Sequence, residues 1–182
     1  MYKPLLLCIA SYAAPLALIA LAILLSPWFS LWDNALSDLG HAVRSVVAPV
    51  FNFGLVLGGF LIVACALLYM LGFSRVKALI QICLGFTLAL IGVYDEVYGV
   101  LHLAVSIVFF VGLIAYLLLL GFMDKKVLPV LVALAHFAIW FAHLSYDVPP
   151  GAALPELAAV LSFIPFYTMD YAVLSRRETR YL

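Results

Sequence analysis

The chain has 182 residues, of which 68% are hydrophobic and only 10% charged, with a mean hydropathy of +1.25. Soluble domains carry about a quarter charged residues, so this composition excludes a water-solvated globule and makes the bilayer the solvent. A formal net charge of zero gives no reason to expect a nucleic-acid partner.

Crossing the hydrocarbon takes about 20 apolar residues in a helix, and six windows qualify. The first, Pro4 to Ser26, is closed by Pro27 and the interfacial aromatics Trp28 and Trp32. It exceeds the core of a signal peptide and reads as a retained span. The others are Val46–Leu71, Ala78–Val97, Leu101–Phe122, Val127–Tyr146 and Leu154–Leu174. The expected fold is therefore all-α: a single polytopic bundle of six transmembrane helices over residues 1–182. Pro15 and Pro165 fall inside spans and predict kinks, whereas Pro129 and Pro155 fall in first turns, where proline is tolerated. Gly54, Gly58 and Gly59 offer small-residue spacing for close helix approach or simple packing relief. No cysteine pairing is visible: Cys8, Cys65 and Cys83 lie in apolar runs and behave as small hydrophobes.

Topology follows from the cations. Lys3, Arg75, Lys77, Lys125, Lys126, Arg176, Arg177 and Arg180 fall on one side of a six-span chain, and Arg44 alone on the other. Both termini are thus expected in the cytoplasm of a multi-pass cell-membrane protein, with Ser175–Leu182 as a basic anchor for anionic headgroups. Asp33, Asp38, Asp95, Glu96, Asp147 and Glu156 then collect outside.

The first outer loop, from Asp33 to Arg44, is the longest stretch that is not simply apolar. Asp33 or Asn34 is suited to cap a short helix and Gly40 to end it. Ser37 and Asp38 face either the bundle lumen or water, and a Ser37 nucleophile is unsupported because Gly-x-Ser-x-Gly is absent. Arg44 has two roles open: a salt bridge to Asp38 or Asp95, or a hold on a lipid phosphate or carboxylate. Asn52, in the outer half of span two, is placed to line a cavity or bridge helices. In span five, His136, Trp140, His143 and Asp147 share one face by their spacing. Intramembrane histidine is a functional-site hypothesis, set against hydrogen-bonded packing. His102 opens span four close to Asp95 and Glu96, and spans four and five should be antiparallel neighbours.

If His41, His102, His136 and His143 converge with these acids, the set has the donor chemistry of a zinc-like site, with no HExxH to specify it. His102 with His143, or His136 as the deeper substitute, also has the chemistry to ligate b-type haem, walled by Phe109, Phe110, Phe137, Trp140 and Phe141. No cofactor is the default. Asp170 in span six reads as structural, within reach of Arg176 or Lys77 by snorkelling.

The run Asn34-Ala35-Leu36-Ser37-Asp38-Leu39-Gly40, followed by Phe51-Asn52-Phe53-Gly54, resembles the DUF998 family. His102 with Phe109-Phe110 matches its pattern of a histidine at the start of span four with aromatics after it. The resemblance implies a six-span membrane fold and no particular activity. One departure is the pair Asp95-Glu96, where a single acid is expected. More distantly, the layout is similar to the damage-regulated autophagy modulator group. The leading expectation is a pocket for a lipid headgroup or partner membrane protein, with membrane lipids and other membrane subunits as partners. A metal-dependent hydrolase and a haem-b subunit of an electron-transfer complex are the alternatives.

Overall fold

The computed structural model describes residues 3–178, with residues 177 and 178 as backbone only. Arg180 and most of the basic tail expected over Ser175–Leu182 lie outside the described residues. Among the described residues, six helices are long and apolar enough to cross a membrane: α1 (Lys3–Leu24), α2 (Ala48–Phe73), α3 (Arg75–Val93), α4 (Val100–Met123), α5 (Val127–Tyr146) and α6 (Ala153–Glu178). No strand occurs among the described residues. A backbone in lipid must satisfy its own polar groups, which a helix does within one segment. Pro15 and Pro165 both lie within continuous helices. α2 instead carries a π-helical segment at Ala66–Met70, which no proline or glycine announces.

The helices close a ring. α2 packs most extensively on α1 and α3, α3 on α4, α4 on α5, and α6 returns to α1 while also touching α4 and α5. Glycines make the tightest approach possible. A Cβ on Gly54 would meet Leu18, one on Gly58 would meet Pro15, and one on Gly59 would stand 2.4 Å from the Gly85 carbonyl oxygen. All three expected small residues therefore sit at helix–helix contacts, two against α1 and one against α3.

Two ends of the bundle differ in chemistry. At the basic end, Lys77 Nζ pairs with Asp170 at 2.9 Å and Asp124 at 3.2 Å. Asp170 also accepts from Tyr116, Gln81 donates to Tyr116, and Tyr171 donates to Gln81. This buried network joins α3, α4, α6 and the α4–α5 turn. Of the two partners the sequence offered Asp170, Lys77 is the one it takes.

At the acidic end, the long first loop is stapled down. Its one helical segment is a 3₁₀ stretch, Leu36–Gly40. Neither Asp33 nor Asn34 caps it, contrary to expectation. Asp38 reaches back to accept from the Ala35 N–H at 2.9 Å and from the Asn34 amide. Glu156 of α6 accepts from the Leu36 N–H at 2.8 Å. The α5–α6 turn docks alongside, Gly151 donating to Trp32 O and Ala153 to Asn34 O. A side chain at Gly151 would collide with the Asn34 backbone at 2.3 Å, so glycine is required there.

Candidate functional site at the acidic end

The stapled loop roofs a chamber of about 800 Å³ between α4 and α5. Its roof is polar: Ser37, Asp38, His41 and Arg44 from the loop, Glu96 from the α3–α4 turn, His102 from α4, His143 from α5 and Glu156 from α6. Its wall is apolar, with Leu103, Ile107, Phe110, Val111 and Ile114 on α4 and Phe137, Trp140 and Leu144 on α5. Several wall residues (Leu103, Ile107, Val111, Phe137 and Leu144) are more than half exposed, so the chamber opens sideways onto the surface that hydrocarbon would bathe. From His102 to Ile114 the α4 wall descends about 18 Å at the helical rise.

A second, narrower cavity of about 110 Å³ runs from the chamber into the centre of the bundle. The two share Ser37, His102, Ser106, Phe110 and Glu156. The inner one is walled by side chains such as Ile19, Leu55, Leu84, Leu88, Leu113 and Phe163, and it ends at Ser11, Gln81 and Tyr167.

Three carboxylates crowd the roof. Glu96 stands beside Asp38, and Glu156 within electrostatic range of both. Burial, then the Asp38 charge, raise the Glu96 carboxyl above its usual range, while Ser37 and His102 pull it back. Ser37 Oγ donates to Glu96 at 3.2 Å. The sign for stability follows by linkage. A carboxyl that holds its proton more tightly when folded contributes stability that is whole below the ordinary value near 4.5 and lost as pH rises through the native value. Glu96→Gln should remove this decline. Melting temperatures of the two proteins, compared across a series from about pH 4 upward, check it; parallel curves would refute it.

His102 and His143 share an orientation device. Each places Nδ1 2.8 Å from a backbone carbonyl, Tyr94 O and Pro149 O respectively. A carbonyl only accepts, so Nδ1 carries the proton and Nε2 is the nitrogen left to the cavity. Trp140 lies against Phe110 with ring centroids 5.0 Å apart and against His143 at 5.8 Å. Its indole N–H is buried without an acceptor among the described residues.

Asp33, Asn34, Asn52, Asp95, His136 and Asp147, also singled out from the sequence, do not line either cavity. Asp33 is exposed and accepts from the Ser30 hydroxyl, and Asn34 braces the loop through Ser30 and Asp38. Asn52 donates to Gly40 O, tying loop to α2. Asp95 is buried as the cap of the 3₁₀ turn Glu96–Tyr98. The doubled acid thus has a division of labour: Asp95 holds the turn and Glu96 faces the chamber. Asp147 ends α5 in the left-handed conformation and is exposed. His136 is buried between α5 and α6, bonded through Nε2 to Ser162 rather than turned to the chamber. Arg44 forms no ion pair with Asp38 or Asp95. Conversely, Glu156 and Ser106 line both cavities without having been chosen as site residues; the signal for Glu156 was its place among the acids expected at the outer end.

Among the described residues, no three His, Cys, Asp or Glu side chains are gathered as a metal ion would need. His136 lies apart from His102 and His143, so the four histidines do not form one set.

The architecture is that of a six-helix membrane-type protein with a polar chamber at one end of the bundle. The chain matches the family model described as "Protein of unknown function (DUF998)" over residues 8–169 and belongs to that family. No curated protein and no solved structure matches it.

Proposed function

We propose that this protein binds the head of a membrane amphiphile in the chamber at its acidic end, on the outer face of the cell membrane. The observation that carries the reading is the pairing of a polar roof with an apolar wall that opens sideways. A water-soluble ligand has no use for exposed Leu103, Ile107 and Val111 below its polar contacts, whereas a lipid arriving from the bilayer meets both in order. The orientation rests on the excess of basic residues at the opposite end.

Gentle extraction followed by mass spectrometry of bound lipid tests it. A near-stoichiometric amphiphile is expected, and Ser106→Trp, which places an indole where the two cavities meet, should reduce it by about tenfold. Protein that carries no lipid, and takes none up when reconstituted, would refute the reading. The hydrolase and haem alternatives have less behind them: His102 and His143 are oriented as ligands often are, but among the described residues no three metal-ligating side chains are gathered.

A further inference from the structure

The inner cavity differs from a packing defect in three ways. It opens at the chamber's polar residues, it is lined almost throughout by apolar side chains, and its far end is closed by hydrogen-bonded groups. Ser11 Oγ lies 3.3 Å from Tyr167 Oη, and Gln81 is held between Tyr116 and Tyr171. An apolar space stays dry, so its natural filling is hydrocarbon. Glu156 and Tyr167 mark its two ends along α6, about 16 Å apart at the helical rise. An extended chain of about a dozen carbons has that length.

The head is constrained by charge. Asp38, Glu96 and Glu156 lie together at the mouth, and the ion pairs among the described residues involve only Lys77 and Lys126 at the other end. Arg44, the one cation in the lining, is exposed and pairs with none of the three. Phe110 and Trp140 pack on each other and line the same chamber, and acids and aromatic faces in one cavity together favour an ammonium group.

We infer that the bundle holds one alkyl chain carrying an ammonium head, the chain running from the chamber down into the inner cavity and the head among Asp38, Glu96 and Glu156. This rests on the amphiphile-binding reading and narrows it to a ligand class: a long-chain amine, or a zwitterionic lipid that offers its ammonium end.

Full-length protein in nanodiscs is presented with ladders of alkyltrimethylammonium, alkylphosphocholine and alkyl sulfate at equal mole fraction, and bound adducts are counted by native mass spectrometry. Occupancy by the alkylammonium series should peak near a dozen carbons and fall about tenfold for chains several carbons longer. Sulfates of the same length should not compete. Leu88→Phe, which narrows the inner cavity, should move the peak to shorter chains; the ladder on the unaltered protein decides the matter even where that variant folds poorly. Phosphocholine binding equal to ammonium supports the inference with a zwitterionic source, and weaker phosphocholine binding supports it with a simple amine. Length-independent occupancy, or sulfate binding as strong as ammonium, overturns it. If diacyl lipid still binds in that case, the chamber reading survives; if nothing binds, both fall.

Discussion

Lys77→Met should destabilise the bundle by about 3–5 kcal/mol, because it strands a buried carboxylate without its cation. The Lys77 side chain is 5% exposed and that of Asp170 10%, so neither charge can turn to water when the other is removed. Three further groups depend on the same carboxylate: Tyr116 donates to it, Gln81 to Tyr116, and Tyr171 to Gln81. Asp170→Leu should be comparably damaging, since it leaves Lys77 with the half-exposed Asp124 alone. The double variant Lys77→Met/Asp170→Leu should lose less than the sum of the singles, as both charges disappear together. Thermal unfolding in a mild detergent measures all three. Additive losses would show that the pair is not energetically coupled. Asp170 reads as structural from the sequence, and this network is how that role would operate.

The second large effect is expected at the α2–α3 crossing. Gly59→Ala would place a Cβ 2.4 Å from Gly85 O and 2.7 Å from Ala89 N, both backbone atoms that cannot rotate aside. Gly85 presents the same problem in return, its Cβ falling 2.6 Å from Gly59 O. The helices must separate or tilt, with a loss of about 3 kcal/mol. In lipid this matters more than the side chain's size suggests, because helix association there depends on close packing and not on hydrophobic transfer. Gly72→Ala is the control: nothing lies within 4 Å of its Cβ, so alanine should be neutral or slightly stabilising. Equal melting temperatures for the two variants would remove the crossing from the list of determinants.

These expectations separate what holds the fold from what shapes the site. The Lys77 network and the glycine crossing lie toward or below mid-bundle, while the chamber sits above them. The network meets the site at Gln81, which with Ser11 and Tyr167 closes the inner cavity.

The sequence by itself determined the fold class, the number of helices and, within a few residues, their limits. Apolarity over about 20 residues is a one-dimensional property, and the bilayer reads it directly. It also placed Ser37, Asp38, His41, Glu96, His102 and His143 at one end, because connectivity fixes the end to which each loop belongs. Only the tertiary structure decided which of them share a cavity. In lipid every helix face is apolar, so hydrophobic periodicity does not set helix rotation. Rotation is what directs His143 to the chamber and His136 to Ser162, seats Glu156 in the roof, and leaves Asp147 outside it. In the same way, Asp38 three residues along the loop and Glu156 from the last span took the capping work that Asp33 and Asn34 were expected to do.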